Sequence, residues 1–350
     1  MYWAKTNAHV QYPLASSGLF NLPLTELQFR IEDLELTSDS YYGYKPLQNV
    51  IAEKEHVEPD RIFTTLGTSL ANHLALASVI DSGDEVLIES PTYELILSTA
   101  AYLGARIKRF HRKAEDNFQL DPDEIRRTVS PKTRLIVVTN LHNPSSVYSG
   151  ESVLRQIGAI ARSNGSTILV DEVYLDAAFD LKPQSAVHLG PEFISTNSLT
   201  KVYGLSGLRC GWVIANPELV SKMWRLNDLF HVNLPHPTER LSVVAFQQLD
   251  RIRTIARTVL QENHKSLEEF LVHQPSLSGK PPESGTVYFP RLVRGSVDRL
   301  TALLAQQFST SIVPGKFFEM PDYFRIGLGG KPEMFREGLA RIGKALRMME

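Results

Sequence analysis

The chain has 350 residues, 43% of them hydrophobic and 22% charged, with a formal net charge of -2 and a pI near 6.6. That length buries a sizeable core with room for one large domain and a smaller one, and the near-neutral charge gives no global field to draw nucleic acid or an anionic membrane surface. A single cysteine, Cys210, excludes an intrachain disulfide, no Cys/His spacing points to a metal site, and no apolar run approaches the roughly 20 residues of a membrane helix. The opening Met1-Tyr2-Trp3-Ala4-Lys5-Thr6-Asn7 lacks the apolar stretch of a signal peptide, so a soluble cytoplasmic protein is expected.

In chain order, the first chemical feature is Tyr41-Tyr42-Gly43-Tyr44, standing far upstream of the others. Between residues 45 and 215, short apolar runs alternate with longer amphipathic stretches, the pattern of β-α-β units around a mostly parallel sheet. The apolar run 61–64 leads to Gly67-Thr68-Ser69 and a helix expected over 70–80. Backbone amides at such a helix start favour an anion, although Gly-Thr-Ser is also an ordinary cap. A strand over 85–88 leads to Pro91-Thr92-Tyr93 and a helix over 93–103, and a strand over 135–138 leads to Asn140-Leu141-His142-Asn143-Pro144-Ser145-Ser146 and a helix over 151–163.

The strand over 167–170 ends at Asp171-Glu172-Val173-Tyr174. An open α/β sheet binds ligands at the carboxyl edge of its strands, while an Asp after a strand can equally be a helix cap. After a strand over 193–196 comes the most telling run, Ser198-Leu199-Thr200-Lys201-Val202-Tyr203-Gly204-Leu205-Ser206-Gly207-Leu208-Arg209-Cys210-Gly211, followed by a strand over 212–215. Here an amine suited to condensing with a carbonyl, a hydroxyl and a guanidinium suited to a phosphate, and glycines that let the backbone approach a ligand lie together. One long helix is expected over 237–272, linking the large domain to the small one. Near the end, Phe324-Arg325-Ile326-Gly327 presents a second guanidinium, whose planar fork matches a carboxylate.

The lysine run resembles the motif of fold-type I pyridoxal-phosphate enzymes, in particular the class I and II aminotransferases: Ser-x-Thr-Lys, then Arg eight residues later in Gly-x-Arg-x-Gly. Asn143-Pro144-Ser145 is similar to the second half of that family's Asn-Pro-x-Asn-Pro-[Ser/Thr]-Gly loop, with Leu141 in place of the first proline and Ser146 in place of the glycine. Pro282 to Phe289, Ile312 to Gly315 and Phe324 to Gly329 resemble small-domain segments of the same enzymes, so the likeness runs in order along nearly the whole chain.

The resemblance implies an α/β fold like that of aspartate aminotransferase, with a large domain (38–235) built on a mostly parallel sheet flanked by helices and a smaller α+β domain (1–37 and 236–350). It implies pyridoxal 5'-phosphate, held as a Schiff base on Lys201. Asp171 would face the ring nitrogen, Tyr174 and Asn143 the phenolate oxygen, and Tyr93 the ring face. Gly67, Thr68, Ser69, Ser198 and Arg209 would hold the phosphate, joined by Tyr42 from the neighbouring subunit of a homodimer. Arg325, with Asn143, would bind the substrate carboxylate. The implied reaction is ping-pong transfer of an amino group between an α-amino acid and a 2-oxo acid. A carbon-sulfur β-lyase or a decarboxylase on the same fold is the alternative. A non-catalytic effector-binding regulator is a third, but its DNA reader has no room ahead of the cofactor pattern.

Overall fold

The computed structural model describes Trp3, Thr6, residues 10–38 and residues 40–349. The signal-peptide reading of residues 1–7 therefore lies, apart from Trp3 and Thr6, outside the described residues.

A seven-stranded sheet forms the centre of the molecule. Its strands are β1 (Ile62–Leu66), β2 (Glu85–Ser90), β3 (Arg106–His111), β4 (Thr133–Thr139), β5 (Thr167–Asp171), β6 (Phe193–Ser198) and β7 (Cys210–Ile214), in the spatial order β1-β7-β6-β5-β4-β2-β3. Strands β2 to β6 run parallel, and β7 is antiparallel to both of its neighbours. This is the mostly parallel sheet expected; most strands run a few residues beyond their apolar runs, β7 covers Cys210–Ile214 rather than 212–215, and β3 was not among the expected strands.

Around the sheet lie α1 (Lys45–Glu55), α2 (Thr68–Val79), α3 (Glu94–Tyr102), α4 (Pro122–Thr128), α5 (Glu151–Asn164) and α6 (Pro217–Asn227). Successive side chains of a strand point to opposite faces, and here both faces are apolar. Leu135 and Val137 of β4 pack with Leu74 of α2 and Met223 of α6, whereas Ile136 and Val138 pack with Ile125 of α4 and Ile157 of α5. Burying one such side chain stabilises the fold by roughly 1.5–3 kcal/mol, which leaves the carboxyl ends of the strands on a rigid base.

The helix expected over 237–272 is two helices, α7 (His236–Gln247) and α8 (Leu249–Leu271), broken at Gln248 with φ -113° and ψ 15°. No proline or glycine signals the break. Gln248 instead hydrogen-bonds the N-terminal segment twice: its Nε2 donates to the Gln28 carbonyl (2.8 Å) and its Oε1 accepts from the Gln28 amide (3.1 Å). Long-range contact overrides local propensity there.

After α8 come α9 (Val297–Phe308) and α10 (Pro332–Arg347), together with a small antiparallel sheet of Val287–Tyr288, Phe324–Gly327 and Val313–Pro314. The segment before α1 is tied across this part of the molecule. Tyr12–Pro13 pairs with Thr310–Ser311, Leu14 O accepts from Gly327 N (2.7 Å), and Leu19 N donates to Lys201 O (2.7 Å). Among the described residues no helix is long and apolar enough to cross a membrane.

Candidate active site

Parallel strands in register bring their ends together. Thr139 of β4 pairs with Asp171 of β5, which pairs with Thr196 of β6, so the loops after these strands emerge side by side. They meet the start of α2 and the strand carrying Arg325 around a cleft of about 760 Å³. Thr68, Ser69, Tyr93, Asn143, Asp171, Tyr174, Ser198, Lys201, Arg209 and Arg325 all line it.

Gly67 caps α2 with φ +83°, a left-handed conformation that suits glycine, and a Cβ there would stand 2.5 Å from Arg209 Nη2. A Cβ on Gly211 would stand 2.5 Å from the Gly67 carbonyl carbon. Both glycines are thus required for the start of α2 and the arginine loop to touch. Arg209, itself left-handed at φ 49°, donates from Nη2 to Leu66 O (3.1 Å) and remains exposed toward the cleft. Ser198 Oγ accepts from the Thr200 amide (3.3 Å).

Lys201 Nζ donates to Ser17 Oγ (2.9 Å). Withdrawal from water and the nearby Arg325 guanidinium push its ammonium down to about 8, with Asp171 pulling the other way and Arg209 adding a smaller push. An amine so shifted is partly neutral, and so nucleophilic, near physiological pH.

Asp171 is buried, and both of its oxygens accept hydrogen bonds, Oδ2 from Asn72 Nδ2 (2.8 Å) and Oδ1 from the Val173 amide (3.1 Å). Thr196 Oγ1 donates to Asn72 Oδ1 (2.6 Å), which fixes the Asn72 amide in the orientation that donates to Asp171. Burial raises the Asp171 carboxyl, and these donors and Lys201 oppose the rise. Burial raises the Tyr174 and Tyr93 phenols, opposed in part by Ser17 beside the first and Ser69 beside the second.

Arg325 is buried on its strand. Nη1 donates to Asn143 Oδ1 (2.9 Å), Nη2 reaches Ala15 O (3.5 Å), and the guanidinium lies 5.1 Å from the Phe318 ring centre. The Asn143 loop accommodates its two departures from the family pattern in identifiable ways. Ser146 adopts the left-handed φ of 61° for which glycine is usual, held by a hydrogen bond from its Oγ to Val287 O (2.8 Å), and Leu141 is fully buried in the core.

Tyr42 does not line this cleft. Its hydroxyl donates to Asp228 Oδ2 (3.2 Å) and its ring lies against Trp224. Ser17, Asn72, Thr139 and Thr200 line the cleft without having been anticipated. Asn72 stands one helical turn after Thr68, a spacing that aligns two side chains on one face and was legible. Ser17 lies in an irregular segment, which carries no such periodicity.

The residues present fit a phosphorylated aldehyde. Thr68 Oγ1 and Thr200 Oγ1 are buried with no protein hydrogen-bond partner, and an unpaired buried hydroxyl costs about 1–3 kcal/mol unless something else satisfies it. Thr68 stands at the N-terminus of α2 with Arg209 opposite, a natural phosphate seat, and Thr200 lies in the loop that carries Lys201. Lys201 supplies the amine within the same cleft.

Comparison with known proteins agrees. The sequence pattern described as aminotransferase class I and II matches residues 34–342. Capreomycidine synthase of Streptomyces vinaceus is 28% identical over 347 residues, covering 95% of this chain and 89% of that protein, and aspartate aminotransferase of Pyrococcus horikoshii is 26% identical, covering 83% and 76%. The crystal structure of a pyridoxal-phosphate-dependent aminotransferase from Streptococcus suis superposes with a TM-score of 0.93 at 26% identity, covering 99% of this chain and 95% of that one. The chain belongs to the class I and II aminotransferases, enzymes that use pyridoxal 5'-phosphate.

Proposed function

We propose that this enzyme moves an amino group between an α-amino acid and a 2-oxo acid by a ping-pong cycle, with Lys201 as the acid-base residue and Arg325 as the carboxylate site. The observation that carries this reading is Arg325: a buried guanidinium whose Nε has no protein partner faces the same cleft as Lys201. A buried cation with unspent donors favours an anion, and a planar fork fixes a carboxylate in direction as well as in charge.

Pyridoxal 5'-phosphate, when bound, supplies the carbonyl that the amino group joins and the ring that draws off the electron pair left at Cα. Thr68, Ser69, Ser198 and Arg209 hold its phosphate, and Asp171 holds the proton on its ring nitrogen. Asn143 and Tyr174 serve its phenolate side, and Tyr93 its face. Lys201 would take the proton from Cα of the amino acid and deliver it to the cofactor's former aldehyde carbon, on the far side of the amino nitrogen. With its ammonium near 8, the lysine is close enough to neutral pH to work in both directions.

A second reading, elimination or replacement at the substrate's side chain or loss of its carboxylate, has support in the likeness to capreomycidine synthase, a relative whose name does not describe a transaminase. A screen of amino acids against the bound cofactor, followed by absorbance, tests the first reading. Sustained turnover that requires a 2-oxo acid supports it. Release of ammonia and pyruvate from a β-substituted amino acid, with no need for an oxo acid, selects the lyase.

We further infer a cytoplasmic homodimer whose subunits complete each other's sites. Tyr41 is 81% exposed and Leu229 78%, and Tyr42 is also exposed beside the helix that precedes Leu229. Apolar surface of this kind calls for a covering partner. An inactive Lys201→Ala chain mixed with an inactive Tyr42→Ala chain then regains partial activity, since one site of each mixed dimer receives both intact parts. An active monomer in sedimentation overturns the dimer.

A further inference from the structure

We propose that Glu89, a residue of β2 outside the cleft, is a positioning residue for the substrate carboxylate, acting through Thr139 and Asn143 on Arg325. The proposal rests on the reading of Arg325 given above.

The side chains of Glu89 and Arg112 are both fully buried, with Arg112 Nη1 3.0 Å from Glu89 Oε2. The remaining donors of Arg112 are spent locally: Nε on Phe118 O (2.8 Å), Nη2 on Ser149 Oγ (3.0 Å), and a longer contact from Nη1 to Thr139 O (3.4 Å). The second oxygen of Glu89, Oε1, accepts from both the amide (2.7 Å) and the hydroxyl (2.6 Å) of Thr139. A buried pair of this kind contributes little net stability over a well-packed apolar pair, so its role has to be sought in what it orients.

What it orients is a chain of hydrogen bonds with a fixed direction. An ionised carboxylate only accepts, so Thr139 Oγ must spend its single proton on Glu89. Its lone pairs are then left to accept, and they take the Asn143 amide (2.9 Å). That bond secures the turn carrying Asn143, whose Oδ1 receives Arg325 Nη1 (2.9 Å). Were Thr139 free to turn its proton toward Asn143, two donors would face each other and the turn would lose its anchor. Burial raises the Glu89 carboxyl, and the Arg112 guanidinium is the chief force opposing that rise. Arg112 thus keeps the direction of the chain, Thr139 transmits it, and Asn143 delivers it to the guanidinium that receives the substrate.

The test uses the holoenzyme and two side-chain-neutral probes. The first is 2-aminoisobutyrate, which has a carboxylate but no proton on Cα. The second is isopropylamine, in which a hydrogen takes the place of the carboxylate, so its binding is read from the first absorbance change, before any loss of that proton. Binding of each is read from the absorbance of the bound cofactor. Thr139→Val removes the hydroxyl at nearly constant volume, and it should weaken 2-aminoisobutyrate about tenfold while leaving isopropylamine unchanged, with Thr139→Ser restoring the wild-type value. Glu89→Gln should show the same selective loss, and combining it with Asn143→Ala should add nothing to the loss from Asn143→Ala alone, because both act on one chain. If Glu89→Gln fails to fold, Thr139→Val and its serine rescue decide the question. Equal weakening of both probes, unchanged 2-aminoisobutyrate binding in Thr139→Val, or multiplying losses in the double variant overturns the proposal. An Arg325→Ala control separates the two claims: if it leaves 2-aminoisobutyrate binding intact, the carboxylate reading fails, whereas if it weakens binding and Thr139→Val does not, only the relay fails.

Discussion

The two sides of the cleft are built in different ways. On the cofactor side, Asp171, Ser198 and Lys201 stand at or just beyond the ends of β5 and β6 and Arg209 immediately before β7, strands buried on both faces. On the substrate side, Arg325 lies on a four-residue strand, and its neighbours Ala15 and Ser17 belong to an irregular segment tied down by single backbone bonds such as that from Gly327 to Leu14. Register in a close-packed sheet fixes side chains firmly, whereas the irregular segment is fixed by burial of Leu14 and Leu19 and by scattered hydrogen bonds rather than by a ladder. On the proposed reading, proton transfer falls to the sheet side and binding of the substrate carboxylate to the side built from the short strand and the N-terminal segment.

The sharpest way to break this comparison is Lys201→Ala. If the sheet side carries the proton transfer, turnover should fall by up to about 10⁴-fold while the fold survives, since positioned acid-base groups contribute on that scale. Borohydride reduction followed by peptide mapping should also lose its pyridoxyl label at this position. A label on another lysine in the wild type would remove Lys201 from its role and the comparison with it.

Asp171→Asn comes next. An opposite charge beside a titrating group shifts its pKa by about 1–3 units, so losing the carboxylate should cut the protonated ring fraction, and with it turnover, by about tenfold to a thousandfold. Both Asp171 oxygens accept from fixed donors, so the new amide NH₂ must face one of them. A modest fall in melting temperature should therefore accompany the loss of rate. Wild-type turnover would return Asp171 to a purely structural cap.

These sheet-side residues are also the ones that were legible in the sequence. Apolar runs located the strands, and the residues that follow a strand end need no further geometry to be placed at the sheet's carboxyl edge. Arg325 and Asn143 could be named only through the resemblance, because nothing local says that a loop after β4 meets a strand 182 residues later. Ser17 was not legible at all, its 184-residue separation from Lys201 being bridged by tertiary contacts alone. The break at Gln248 was missed for the same reason: the glutamine answers to Gln28, not to its own helix. Local pattern reveals what the sheet positions, and is silent about what long-range contact positions.

Replacing each arginine in turn compares the two sides directly. Arg209→Ala should weaken retention of the cofactor, and Arg325→Ala should leave the cofactor bound while raising the amino-acid requirement, each by about tenfold to a hundredfold for a lost charge-assisted hydrogen bond. Equilibrium dialysis of the cofactor and the dependence of rate on amino-acid concentration read the two effects apart. Equal losses of cofactor in both variants would mean that the cleft has no such division.

The smallest effect should come from Ser17→Ala, which reaches the sheet side from the N-terminal segment. Ser17 Oγ accepts from Lys201 Nζ at 2.9 Å, and losing one ordinary hydrogen bond should change turnover by about twofold to tenfold. Its sign shows more clearly in pH. Only the neutral amine condenses with fresh cofactor, so the loading rate of the cofactor-free protein should rise with pH through about 8 and level off above it. An acceptor on the ammonium favours the charged form, so removing it should move the midpoint of that rise to lower pH. Stopped-flow absorbance across the pH range measures both quantities. A wild-type midpoint near that of an ordinary lysine, about 10.4, would show that burial and Arg325 do not act on Lys201. A midpoint near 8 that Ser17→Ala leaves unmoved would mean that the N-terminal segment covers the lysine without tuning it, so that the sheet side sets the chemistry alone.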